Sequence, residues 1–190
     1  MVLEWIIGAT VLVSLLSFAG VFFLSTKGSA LDSAVFYWVA FAARAKLGAA
    51  FLDLLPEAAA GLPANGVFLY ALAGLLFFFL VEKLVHWHHH QGEHYLNEKP
   101  LAYLNLIGDG VHNFFDGVAI AASFLAGTEA GLATTLAVIL HEIPQEIGDF
   151  SLLIYSGFSR AKALFFNFLS SLSAVLGALL FYYVSTTVHG

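Results

Sequence analysis

The chain has 190 residues, of which 60% are hydrophobic, 11% are charged and 19 are phenylalanine. A soluble domain carries roughly 25% charged residues, so this composition belongs to a chain that packs against lipid. The absence of cysteine excludes disulfides and thiolate metal ligands, and a net charge of −6 leaves no basic surface for nucleic acid.

A helix that crosses a bilayer needs about 20 mostly apolar residues. Six runs meet this, at about 3–24, 31–55, 66–86, 101–125, 131–156 and 162–184. They predict an all-α polytopic membrane helix bundle forming one transmembrane domain over residues 1–190. Barrel strands, at about 10 alternating residues, are too short to account for them. The first run has Glu4 and no Lys or Arg before it, unlike a cleavable signal, and is expected to remain as a span.

The second run holds Arg44 and Lys46, each costing about 2.5–3.5 kcal/mol if left at the bilayer centre; they are expected to need partners and to place positive charge beside any ion path. Further along it, Asp53 and Glu57 lie four apart around Pro56. They are candidates for drawing cations inward, or an ordinary charged helix end. Between the third and fourth runs comes "HWHHHQGEHYLNEKP", a loop at about 86–100. Its His86, His88, His89, His90 and His94 form a flexible zinc chelate or a solvated linker, with His86 and Trp87 suited to the membrane interface. Lys27, Lys83, Lys99, Arg160 and Lys162 fall on one side of the six-span topology. Cationic loops face the cytoplasm, so the histidine loop is expected there and both termini outside, in an integral protein of a bacterial inner membrane.

The fourth and fifth runs are interrupted by polar residues. Asn105, Asp109, His112, Asn113 and Asp116 recur at helical spacing along one face, and His141, Glu142, Gln145, Glu146 and Asp149 form a second stripe. Ionisable groups in a membrane turn inward, so the stripes are expected to face each other. Imidazoles with carboxylates suit zinc or another borderline divalent cation better than calcium. His112 with Asp116 and His141 with Gln145 each present an i, i+4 ligand pair. Pro144 frees the Leu140 carbonyl, an irregularity tolerated beside a cavity, and Gly117 and Gly148 allow close helix approach. The amides, Asn167 and the serines of "NFLSSLS" also read as interhelical hydrogen-bonding glue. The combined stripes do not, because burying several charges for packing alone loses free energy.

"HNFFDG" followed by "HEIPQEIGDF", with "FLDLLPEA", "VEKLVHWHHH" and "NFLSSLSAVLGALL", resembles the ZIP family of divalent metal transporters, in particular its bacterial and LIV-1-like branch. The likeness covers about residues 30–184. It implies movement of Zn2+, with Fe2+, Mn2+ and Cd2+ as further cargoes, toward the cytoplasm, by a protein that is not an enzyme and that forms homodimers in some members. It further implies a primary metal site at His112, Asp116, His141 and Gln145, and a second at Asn113, Glu142 and Asn167; Glu146, beside the weak ligand Gln145, is a candidate to compensate for it. Asp53, Glu57, Asp109 and Asp149 would line the pathway. The chain departs from the family pattern in the neutral Gln145, in Arg44 and Lys46, and in showing six of eight expected spans. Two rival readings are an intramembrane zinc metalloprotease, since "HEIPQ" approximates H-E-x-x-H with its second histidine replaced, and a non-transporting metal-binding membrane protein.

Overall fold

A computed structural model describes residues 1–23, 37, 40, 41, 43, 44, 47, 48, 50–61, 63–89 and 99–189. Its described elements are all helical. Helix α1 spans Val2–Leu15 and tightens into a 3₁₀ run over Leu16–Phe23. A π turn at Ala50–Leu54 leads into α2, Leu55–Gly61. Four longer or linked helices follow: α3 at Ala64–His89, α4 at Lys99–Ala126, α5 at Thr128–Tyr155, and the pair α6 at Arg160–Ser171 and α7 at Ser173–His189.

Local chemistry explains the boundaries. Gly127 alone separates α4 from α5, so the two run back along each other. Helix α5 ends in a Schellman motif: Gly157 takes a positive φ of 85°, its N–H reaches Ile154 O at 3.0 Å, and the Phe158 N–H reaches Leu153 O at 3.0 Å. Ser159 then caps α6, its Oγ accepting from the Lys162 N–H at 3.4 Å. Pro144 lies within an α5 that stays α-helical across it; the expected irregularity is limited to the hydrogen bond that proline cannot donate.

Helices α4 and α5 have 28 residues each, about 42 Å at about 1.5 Å per residue, enough to exceed a hydrocarbon core of about 30 Å. Val2–Ala19 and Arg160–Val188 meet both the length and the apolarity of a membrane span, each with a mean hydropathy of 2.0. A shorter apolar stretch, Asn65–Val81, lies in α3. The exterior is apolar: Leu76, Phe77, Phe115, Leu140 and Leu169 are exposed, whereas Asn113, Glu142, Glu146 and Asn167 are 0% exposed. Water-soluble domains show the opposite arrangement. The chain is an all-α membrane helix bundle.

The interior is layered. One apolar cluster joins Ile6 and Val13 of α1, Ile120 and Phe124 of α4, Val138 of α5 and Ala178 of α7. The other joins Ala102 of α4, Phe150 and Leu153 of α5 and Ala163 of α6. Because α4 and α5 are antiparallel, the residues between these clusters on both helices fall at one level, and that level carries the polar stripes. Helix α4 packs most closely on α7. A Cβ on Gly117 would collide with the Ala174 backbone, and one on Gly177 with the Phe114 backbone, so the two glycines reciprocally let the helix backbones touch.

Candidate metal site

His112 and His141 stand at the centres of their 28-residue helices, and α4 and α5 bring them together. Their Nε2 atoms are 3.3 Å apart. Asp116 Oδ2 lies 3.1 Å from His141 Nε2 and 3.6 Å from His112 Nε2, and Glu142 Oε1 lies 3.3 Å from His112 Nε2 and 3.5 Å from His141 Nε2. All four ligand atoms sit within 4.8 Å of one another. Zinc bonds of about 2.0–2.2 Å in a tetrahedron give ligand–ligand edges of about 3.3–3.6 Å. Of five separations among these atoms, four lie between 3.3 and 3.6 Å and the fifth, Asp116 to His141, is 3.1 Å.

The tautomer of His141 follows from its surroundings. Nδ1 is 3.1 Å from Ala137 O; a carbonyl only accepts, so Nδ1 carries a proton and Nε2 is the nitrogen that faces the cluster. Neither carboxylate oxygen of Glu142 receives a hydrogen bond among the described residues, although the side chain is 0% exposed. Two imidazole nitrogens and two carboxylates thus converge, a donor set that suits a divalent cation. The cluster is open on the histidine side, where the His112 and His141 side chains are 38% and 45% exposed.

The amides form the adjoining layer. Asn113 Nδ2 donates to Asp109 Oδ1 at 3.1 Å and to Asp109 O at 3.2 Å, and Gln145 Nε2 donates to the same Oδ1 at 3.3 Å. Asn167 Nδ2 donates to the Glu146 carboxylate, and lies 3.4 Å from both Glu146 O and Ser17 O. Asp149 is buried nearby on α5.

Glu142 therefore occupies the corner of the four-atom cluster that spacing assigns to Gln145, while Gln145 binds Asp109. The i, i+4 rule places Gln145 under His141; the crossing of α4 over α5, which no spacing reveals, brings in the neighbouring Glu142. Sequence reasoning also missed the contact of Asn167 with the end of α1. Arg44 is exposed and its guanidinium Nη1 donates to Ala40 O at 3.4 Å, within its own stretch of chain. Lys46, His90 and His94 lie outside the described residues, as do the side chains of Asp53, Glu57, His86, His88 and His89.

A membrane helix bundle with a His–carboxylate cluster midway along two of its helices has the donor set of a cation site, and the comparisons narrow the class. The family model described as ZIP Zinc transporter matches residues 87–189. The chain belongs to the ZIP zinc transporter family. It is similar to zinc transporter zipt-7.1 of Caenorhabditis briggsae, at 38% identity over 63% of this chain and 39% of that protein. It is also similar to zinc transporter ZIP13 of Pongo abelii, at 37% identity over 74% of this chain and 45% of that protein. IAA-alanine resistance protein 1 of Arabidopsis thaliana is 56% identical over 41% of this chain and 17% of its own length. The chain thus spans less than half the length of these relatives. No solved structure matches it.

Proposed function

We propose that the chain conducts a divalent first-row cation, zinc foremost, across a membrane through the polar layer between α4 and α5. The observation that carries this reading is the convergence of His112, Asp116, His141 and Glu142, whose ligand atoms lie within 4.8 Å of one another, inside an apolar-surfaced bundle. Two imidazole nitrogens favour zinc, iron and their neighbours over calcium, which takes six to eight oxygen ligands. The four side chains replace the ion's hydration shell. Asn113 Oδ1 and Asn167 Oδ1, buried and without donors among the described residues, offer oxygen ligands on the next level, so an ion leaving the cluster exchanges nitrogen for oxygen coordination. Two zinc-transporter relatives aligned over most of this chain support the same cargo.

The side of entry is read from the loop cations: the His-rich loop faces the cytoplasm and the termini face away. In intact cells a cysteine at Gly92 is then shielded from impermeant thiol reagents and one at Ala64 is labelled; the reverse pattern inverts the topology.

The deciding experiment is zinc uptake by sealed liposomes containing only this chain, with a zinc-sensitive dye inside. The parent takes up zinc, and His112→Ala and His141→Ala fall nearly to background in equal amounts of folded protein. Tight zinc binding without uptake would make the chain a non-transporting metal-binding protein. Unchanged uptake in both variants would reduce the stripes to packing.

A further inference from the structure

Two buried amides, Asn113 and Asn167, and the half-buried Gln145 donate their NH2 groups to carboxylates outside the four-atom cluster. Asp109 Oδ1 accepts from Asn113 on its own helix and from Gln145 on α5, and the Glu146 carboxylate accepts from Asn167 on α6. An amide that donates on one side must present its oxygen on the other. In both asparagines the presented Oδ1 is buried and has no donor among the described residues. An orphaned acceptor of this kind costs about 1–3 kcal/mol of desolvation unless a cation or donor meets it. We infer that Asp109 and Glu146 are positioning residues: they accept the amide protons of Asn113, Gln145 and Asn167 and so fix those side chains, leaving Oδ1 of the two asparagines to an ion as an oxygen-lined level beside the His–carboxylate cluster.

This inference deepens the transport reading and rests on it for the identity of the ion. It inverts the usual outer-layer device, in which a carboxylate receives the second N–H of a metal-binding histidine; here the carboxylate receives the second function of an amide. It also accounts for a neutral residue at position 145. Beside Asp109 a donor is required, and a carboxylate in its place would set two negative charges about 3 Å apart in a medium of low dielectric.

A polarity swap tests the pairing. If Asn113 served only as an oxygen ligand, Asn113→Asp would keep or tighten zinc binding, since a carboxylate is the stronger ligand. If Asp109 holds it by accepting its N–H, the new carboxylate is repelled. Zinc uptake and zinc binding should then fall about 10–100-fold, the usual range for a broken outer-layer contact. Adding Asp109→Asn restores a donor and an acceptor with reversed polarity, and the double variant should regain at least about tenfold of the loss, a coupling that independent sites do not show. The same swap at Asn167→Asp with Glu146→Gln reads the second pair. Where a single variant fails to fold, recovery of monodisperse protein in the double variant reports the same coupling. Parent-like behaviour of Asn113→Asp, or a double variant no better than the single in either readout, overturns the inference. His112→Ala measured alongside separates the two readings: if it retains uptake, the transport site is wrong, while the swap still reports the amide pairing through folding.

Discussion

The bundle has two polar interiors, and their hydrogen-bond accounts differ. Along the α1–α6 seam, Ser14 Oγ donates to Ser171 O at 2.8 Å, Ser171 Oγ returns a bond to Ser14 O at 3.0 Å, and Ser17 Oγ donates to Ser14 O at 2.8 Å. Thr10 Oγ1 donates to Ile6 O at 2.8 Å. Each of these hydroxyls has an acceptor on a backbone, so the seam is complete as it stands. Around the histidine cluster, by contrast, Glu142 Oε2 on α5, Asn113 Oδ1 on α4 and Asn167 Oδ1 on α6 accept no hydrogen bond among the described residues. The seam is a fastening. The α4–α5 layer is a costly arrangement, and the proposed cation site accounts for it, because buried polar groups that lack partners persist where a ligand supplies them.

The largest effect is expected at Glu142. Glu142→Gln removes a buried negative charge and gives the imidazole nitrogens an N–H to accept. Zinc binding should drop by about a hundredfold or more with a ligand lost, while thermal unfolding in chelator should show a fold more stable than the parent, by about 1 kcal/mol or more. A variant less stable than the parent in chelator would mean that the carboxylate is part of the packing.

A smaller effect is expected from the ion itself. Zinc at a hundred times its dissociation constant should stabilise the parent by about 2.7 kcal/mol, and calcium should not. Changing His88, His89, His90 and His94 together to Ser should leave this gain in place, since a flexible loop chelate does not brace the bundle. Loss of the gain in the loop variant, with retention in Glu142→Gln, would move the principal site to the loop.

Much of this architecture was legible in the sequence because two periodicities coincide. Lipid imposes long apolar runs, and the polar residues at helical spacing within the fourth and fifth runs stand out against them. His112, Asp116 and His141 could be read in this way, as could Gly117 and the gluing role of the "NFLSSLS" serines. What escaped depends on helix crossings. Glu142 reads from the sequence as a ligand of the second level; that it also lies beside both histidines depends on how α4 crosses α5. Gly177 was missed because a glycine in "VLGALL" carries no periodic signal until Phe114 lies against it. Ser14 and Ser171 are 157 residues apart, and nothing in either neighbourhood names the other. The 3₁₀ tightening after Leu15 lies in a run as apolar as any α-helix, so composition could not foretell it.

The smallest effect is expected at the seam, and its sign should oppose that of Glu142. Ser14→Ala deletes the hydroxyl that reaches Ser171 O, but Ser171 Oγ still donates to Ser14 O, so α1 and α6 remain joined by the return bond. Interhelical hydrogen bonds of this kind are worth on average about 0.6 kcal/mol in a membrane protein. The variant should therefore lose about that much stability in thermal unfolding, with zinc uptake per folded molecule unchanged, because no ligand atom has moved. Ser171→Ala removes the return bond and, with it, the competing bond from Ser171 Oγ to Phe168 O at 3.0 Å; its loss should be similar. Joining the two changes removes both interhelical bonds and should exceed the sum of the single losses, since each remaining bond holds the helices in place for the other. If Ser14→Ala instead lowered uptake without lowering stability, the seam would move with the ion, and the division between a finished fastening and an unfinished site would not hold.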